Sequence, residues 1–151
     1  MRPRFAYLLD TNAASEPARL APDPGFMAWL QDHQHEVALP VFVLFEQRKG
    51  IEAVPDASPK RRVLESAFRR LVRDFSEAIL PFAEADAWAA GEHYHVLISD
   101  FGRGVVDQIG LVDFFIAAQA RAHNLRVVTR NTAHFPHCGE LINPWLEHPA
   151  P

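Results

Sequence analysis

Short apolar runs alternate with helical segments along nearly the whole chain, and this alternation limits the possible fold more than any other feature. The runs contain few charged residues, as strands do when both faces of a sheet are buried. We therefore predict an α/β fold in which helices cover both faces of a central parallel sheet. The predicted strands are residues 5–10, 36–40, 78–82, 125–129 and 140–145.

Helix caps mark the segments between these strands. Asp23 and Ser58 each precede a proline, which is typical of a capping residue followed by the first helical position. Asn124 is well placed to end a helix. The predicted helices are residues 24–33, 41–50, 59–75, 84–98 and 111–124, and residues 100–110 are predicted to form a glycine-containing loop.

The composition is that of an ordinary globular domain. Of the 151 residues, 48% are apolar and 23% are charged, so we expect residues 1–151 to fold as a single domain. Cys138 is the only cysteine, which excludes an intramolecular disulfide and favours a reducing compartment. The apolar run near the N-terminus is too short for a signal peptide or a membrane span. We therefore expect a cytoplasmic protein with no membrane partner.

Three acidic residues lie in apolar surroundings: Asp10 ends the first strand, Glu46 lies within a helix, and Asp113 is near the start of another helix. Each has an ordinary explanation. Asp10 would cap the next turn, Glu46 would pair with an arginine, and Asp113 would favour the positive end of its helix. In parallel sheets, however, ligands bind beyond the carboxyl ends of the strands. The three acids therefore also indicate a shared site at that edge.

A shared acidic site implies a bound cation, because like charges repel unless a cation joins them. Oxygen ligands of this kind suit Mg²⁺ or Mn²⁺, which keep several waters and engage substrate phosphates. The net charge of −4 disfavours nonspecific coating of nucleic acid, but bound cations reverse the local field at such a site. Any nucleic acid must therefore bind at a local patch of the protein surface.

Four motifs together resemble the PIN-domain ribonucleases of the VapC and FitB toxin type. They are LLDTN at residues 8–12, FEQRKGI at 45–51, LVDFFIAAQARAHN followed by LRVVTRNTAHF at 111–135, and NPW at 143–145. The resemblance implies a three-layer PIN-like fold and an endoribonuclease that uses Mg²⁺ or Mn²⁺ to activate water for hydrolysis of RNA phosphodiester bonds. It further implies the toxin of a type II toxin–antitoxin pair, a homodimer held inactive by a small antitoxin.

The resemblance also assigns residues. It implies that Asp10, Glu46 and Asp113 bind the metal, that Asn12 orients the site, and that Thr129 supports it at the end of the late strand.

One segment departs from the family pattern. Many PIN domains have a fourth acid after the late strand, where this chain has Asn131 and His134. His134 would contact phosphate, take part in proton transfer, or only form hydrogen bonds that stabilise its loop. With three acids rather than four, one tightly held metal ion is predicted, with a second ion weak or supplied partly by the RNA phosphate.

Three further signals have competing interpretations. The eight histidines, which include His93-x-His95 and His134-x-x-His137-Cys138, match no established zinc pattern. A run of arginines after Pro59 would form either a solvated helix face or a contact with RNA or an antitoxin. Several aromatic side chains would either pack in the core or line a groove for an antitoxin helix. The arginines are Arg61, Arg62, Arg69, Arg70 and Arg73, and the aromatic residues are Phe26, Trp29 and Phe42.

Two other function classes remain open at this point. A non-catalytic PIN-fold module that binds RNA or protein is suggested by the missing fourth acid and the negative net charge. A phosphohydrolase of the haloacid dehalogenase type would use Asp10 as its nucleophile. That family expects a second aspartate two residues further on, where this chain has Asn12.

Overall fold

A five-stranded sheet forms the centre of the computed structural model, which describes residues 4–147. The strands are β1 (Tyr7–Leu9), β2 (Val37–Pro40), β3 (Ile79–Leu80), β4 (Arg126–Val128) and β5 (Leu141–Ile142). Their order across the sheet is β3-β2-β1-β4-β5, and every neighbouring pair is parallel. The predicted α/β class with a parallel sheet is confirmed. The carboxyl ends of all five strands consequently meet at one edge.

Eight helices connect or follow the described strands. They are α1 (Thr11–Ser15), α2 (Pro24–His33), α3 (Val41–Glu52), α4 (Pro59–Asp74), α5 (Glu84–Phe101), α6 (Arg103–Val106), α7 (Leu111–His123) and α8 (Pro144–Glu147). Single 3₁₀ turns occur at Glu16–Ala18 and Thr132–His134.

The predicted caps are present. The carboxylate of Asp23 accepts a hydrogen bond of 2.8 Å from the backbone N–H of Phe26. Asn124 ends α7 in the left-handed conformation, with φ of 54°. The short helices α1, α6 and α8 were not predicted. In particular, α6 lies within residues 100–110, where three glycines indicated a loop.

Helices cover both faces of the sheet, as predicted. All residues of β1 and β2 are buried, as are Val127 and Val128 of β4. Since neighbouring side chains of a strand point to opposite faces, complete burial requires cover on both sides. Side chains of α2 and α7 belong to this core, among them Phe26, Trp29, Ile116 and Ala117.

The aromatic side chains considered as an antitoxin groove pack against other aromatic side chains of the protein. Phe26 and Trp29 are almost fully buried. Phe42 is half-buried and stacks on Phe115, with ring centroids 4.9 Å apart. The core interpretation therefore agrees with the structure for Phe26 and Trp29, whereas Phe42 belongs to a partly buried aromatic cluster.

Helix α4 packs against α3 without burying any side chain completely. Arg61 is its best-connected arginine and forms ion pairs with Glu52 at 2.8 Å, Asp56 at 2.9 Å and Glu65 at 3.3 Å. Arg61 is thus a structural residue. The remaining arginines of α4 are exposed, which agrees with a solvated face.

The side chains of the histidine-rich segments are not grouped as ligands of one metal ion in the structure. Among residues 4–147, no group of three or more His, Cys, Asp or Glu side chains is arranged to hold a metal ion. Cys138 is a buried free thiol, and burial raises its pKa to about 11. In the same part of the chain, no helix is long and apolar enough to cross a membrane.

His93 is a buried core residue on α5. Its ring stacks on Phe114 of α7 at a centroid distance of 5.6 Å, and its Nδ1 has no partner among the described residues. Burial, assisted by the charges of Arg121 and His137, lowers the pKa of His93 to about 4. The imidazole is therefore neutral at physiological pH.

This shift predicts a pH-dependent stability. Between pH 6.5 and pH 4 the unfolded chain binds a proton on His93 and the folded protein does not, so the free energy of unfolding falls as the pH drops. We expect His93 to contribute a loss on the order of 3 kcal/mol over this range. Urea unfolding at several pH values measures it.

The matched control is an exposed histidine two residues further along α5. His93→Leu should flatten the pH profile, whereas His95→Leu should leave it as in the wild type. Equal pH profiles for the two variants would contradict the assignment.

Candidate active site

Asp10 is held at the carboxyl edge of the sheet by the structure on both sides of it. Its backbone N–H donates to the carbonyl of Val128 at 3.1 Å, which extends the pairing of β1 with β4. Its carboxylate caps α1 by accepting a hydrogen bond of 2.7 Å from the N–H of Ala13. The residue is only 3% exposed. Asp10 is thus both a helix cap and a buried carboxylate at the sheet edge.

Burial raises the pKa of the Asp10 carboxyl. Hydrogen bonds from the Thr129 side chain and the Ala13 backbone oppose this effect, and the negative charge of Asp113 adds to it. The charge of Asp10 is therefore incompletely compensated by the protein.

Glu46 is half-buried on α3 and has a hydroxyl as its partner. The Oγ1 atom of Thr11 donates a short hydrogen bond to Oε2 of Glu46. Among residues 4–147, no arginine or lysine lies within ion-pair distance of Glu46. The structure therefore does not support the alternative of an ion pair with arginine.

Asp113 lies in the first turn of α7 and is held by His134. The Nδ1 atom of His134 is 3.0 Å from Oδ2 of Asp113. Burial raises the pKa of the Asp113 carboxyl, the neighbouring His134 lowers it, and the charge of Glu46 raises it. Asp113 therefore lies within the electrostatic influence of both other acids.

The three acids thus come from separate elements and lie near the edge beyond β1 and β4, close enough for the charge of Asp113 to act on Asp10 and that of Glu46 to act on Asp113. Their oxygens are held by protein donors and are not already grouped around one point. The donor set is nevertheless that of a hard divalent cation, because it consists of carboxylate oxygens. In two of the three groups, Asp10 and Asp113, burial and the charge of a neighbouring acid disfavour the charged form.

Asn12 contributes to the edge through its backbone. Its N–H lies near enough to the Asp10 carboxylate to lower the pKa of that group, whereas the Asn12 side chain is exposed. The partner of Glu46 is Thr11, the middle residue of the DTN motif. This role of Thr11 was not predicted, and its only sequence signal was its position beside Asp10.

The segment after β4 joins the site through a chain of hydrogen bonds. The N–H of Asn131 donates to Oγ1 of buried Thr129 at 2.9 Å. The side-chain nitrogen of Asn131 is 3.0 Å from Nε2 of His134, and His134 in turn contacts Asp113. The two residues found in place of a fourth acid therefore connect β4 to Asp113.

Comparisons with known proteins agree with this architecture. The family model for the PIN domain matches residues 7–140. The chain is 31% identical to toxin FitB of Neisseria gonorrhoeae over 140 residues. The matched region covers 91% of this chain and 97% of FitB. It is 32% identical to VapC ribonuclease Y4jK of Sinorhizobium fredii over 141 residues. That match covers 91% of this chain and 96% of the relative.

Solved structures show the same similarity. A chain in the crystal structure of FitAcB from Neisseria gonorrhoeae matches with a TM-score of 0.76 at 31% identity, over 93% of this chain and 99% of that one. A chain of DNA-bound VapBC from Salmonella typhimurium has the same fold, with a TM-score of 0.73 at 18% identity, over 91% of this chain and 95% of that one.

The raised pKa of Asp10 predicts that its charge costs stability in the absence of metal. Because the folded state binds this proton more tightly than the unfolded state, the free energy of unfolding falls as pH rises through the folded pKa. An asparagine at this position would keep the cap without the charge. We therefore expect Asp10→Asn to raise the Tm near pH 7 in chelator, by about 2–4 °C for each kcal/mol recovered.

Asp23→Asn is the matched control, because Asp23 caps α2 through an equivalent hydrogen bond of 2.8 Å. This variant should leave the Tm within a degree of the wild type. Addition of Mn²⁺ should then stabilise the wild type and the Asp23→Asn protein but not Asp10→Asn. A lower Tm for Asp10→Asn in chelator would show that the carboxylate is mainly structural.

Proposed function

The chain belongs to the PIN-domain family, and from that premise we propose that it is a metal-dependent endoribonuclease, the toxin of a type II toxin–antitoxin pair. One observation carries the proposal: three carboxylates, one directly after β1 and one each on α3 and α7, lie near the same sheet edge, and burial and mutual repulsion raise the pKa of two of them. The similarity to FitB and to VapC ribonuclease Y4jK supports the toxin and ribonuclease assignments. Residues 1–151 would act as one PIN domain.

Asp10, Glu46 and Asp113 would hold Mg²⁺ or Mn²⁺. When bound, such an ion supplies a nucleophilic water at neutral pH and neutralises charge on the phosphate undergoing in-line displacement. The protein contributes by placing the acids before substrate arrives. The α1 cap fixes Asp10, and Thr11 restrains Glu46.

His134 is a positioning residue in this scheme. Its Nδ1 contacts one oxygen of Asp113, Oδ2, and leaves the other free to bind the cation. The side-chain nitrogen of Asn131 lies 3.1 Å from Nδ1 and 3.0 Å from Nε2 of the ring and so restricts its orientation. The imidazole would thus fix the orientation of the Asp113 carboxylate from a position where many PIN domains have a fourth acid, and it would add no fourth negative charge.

The partners follow from the same family assignment. The protein would act in the cytoplasm as a homodimer on RNA and would be inhibited by a small antitoxin. Solved neighbours support the antitoxin: they include FitAB bound to a DNA fragment, and VapBC2 from Rickettsia felis bound to a DNA fragment from its promoter. Co-expression with a small protein encoded beside this chain should therefore suppress its activity.

The decisive experiment is cleavage of a mixed pool of structured RNA by the purified protein. Cleavage should occur with Mn²⁺ and stop with chelator, and Asp10→Asn or Asp113→Asn should reduce it at least about 100-fold, since each removes a ligand of the ion that activates water. Asp23→Asn should cleave like the wild type. Undiminished cleavage by Asp10→Asn would refute the proposed mechanism.

A parallel titration of Mn²⁺, followed by electron paramagnetic resonance, separates the alternative function. Metal binding that depends on Asp10 and Asp113, with no cleavage of the pool, would indicate an RNA outside the pool or an antitoxin that co-purifies. The absence of both metal binding and cleavage would favour the non-catalytic PIN-fold module, for which the missing fourth acid is the main argument.

A further inference from the structure

Glu16 is a buried carboxylate that the acidic site does not use. It follows α1 directly and is only 3% exposed. Its Oε1 accepts a hydrogen bond of 2.8 Å from the backbone N–H of Asp23. A carboxylate in such surroundings is costly unless cations or donors compensate it. Two arginines complete its surroundings.

Both guanidinium groups contact the same oxygen of Glu16. Nη1 of Arg19 and Nη2 of Arg130 each lie 3.3 Å from Oε2. One carboxylate between two guanidiniums leaves one excess positive charge. A carboxylate can be compensated by a single arginine, so compensation of Glu16 alone does not account for the second.

The two arginines remain accessible while Glu16 is buried. The side chain of Arg19 is 56% exposed and that of Arg130 is 47% exposed. Arg130 lies over the ring of Trp145 at 4.5 Å, and Trp145 stacks on Phe26 at 4.3 Å. The guanidinium of Arg130 is therefore held in place on two sides while it keeps free N–H donors toward solvent.

The position of Arg130 connects this group to the acidic site. Arg130 lies between Thr129, whose side chain hydrogen-bonds Asp10, and Asn131, which contacts His134. Glu16 lies at the end of α1, the helix that Asp10 caps. The arginine pair and the acids thus occupy the same carboxyl edge of the sheet.

We infer that Arg19 and Arg130, oriented by Glu16, bind a backbone phosphate of the RNA next to the scissile one. The inference rests on the proposed function and deepens it. In a chain of net charge −4 whose site holds three acids, RNA needs a local positive anchor. Guanidinium groups in a fixed orientation suit a phosphate, because their N–H donors match its oxygens.

Arg126 provides a matched control at the opposite end of β4. Its side chain is also 47% exposed, pairs with a glutamate, Glu140, at 3.1 Å, and lies over an aromatic ring, that of Tyr7, at 5.5 Å. Arg126 and Arg130 thus have the same charge, exposure and kinds of neighbours. They differ in which edge of the sheet they occupy and in the burial of the partner, since Glu140 is 77% exposed and Glu16 is 3% exposed.

The test is binding of a fluorescein-labelled 12-nucleotide oligouridine in chelator, measured by anisotropy between 50 and 300 mM salt. A backbone contact is independent of sequence, so a homopolymer suffices. We expect Arg130→Gln and Arg19→Gln each to weaken binding about five- to tenfold at 100 mM salt. Each should also reduce the slope of log affinity against log salt by part of the value of about 0.7 that one phosphate contributes in single strands. Arg126→Gln should stay within twofold of the wild type.

Equal weakening by Arg126→Gln and Arg130→Gln would overturn the inference, because it would show a nonspecific charge effect. Unchanged binding by both Arg19→Gln and Arg130→Gln would also overturn it. If Arg130→Gln does not fold because Glu16 loses a partner, Arg19→Gln and the charge-conserving Arg130→Lys decide the question. Arg130→Lys should keep the salt slope but bind less tightly than the wild type.

Failure of this inference is distinguishable from failure of the proposed function. Binding is measured in chelator and does not require cleavage. If the wild type cleaves RNA and the arginine variants bind it unchanged, the phosphate-binding inference is refuted and the proposed nuclease function stands. If the arginines are needed for binding to oligouridine but the RNA pool is not cleaved, the proposed nuclease function is refuted and RNA binding at this edge stands.

Discussion

The burial of the Asp10 carboxylate at the end of β1 is the constraint on which the rest of the edge depends. A parallel sheet places β1 between β2 and β4, so a charge at its carboxyl end has protein on several sides. Capping α1 and bonding to Thr129 compensate that charge only in part. The proximity of Asp113 worsens the imbalance. The uncompensated charge therefore lowers the stability of the folded protein at this edge, and a bound cation would restore that stability.

Much of the fold could be predicted because its signals are local. The apolar runs of β1, β2 and β4, and the caps Asp23 and Asn124, are visible within a few residues. The position of Asp10 could be predicted for the same reason, since an apolar run stops there. The helix α6 could not, because Gly102 and Gly104 are typical of loops and α6 is only four residues long.

The details of the site were less predictable because they depend on contacts between distant parts of the chain. Thr11 and Glu46 are 35 residues apart, and Arg130 and Glu16 are 114 residues apart. No pattern in either segment indicates its partner. The sequence therefore allowed an arginine partner for Glu46, where the structure has a hydroxyl, and left the burial of Glu16 unnoticed.

Helix α4 has a consequence for how this protein opens. Because it buries no side chain completely, with Leu71 only partly buried against the core, and Arg61 links it to α3 by ion pairs, its detachment exposes less apolar area than global unfolding does. Hydrogen exchange in α4 should thus proceed through local opening, while the amides of β1 and β4 exchange only when the whole core unfolds.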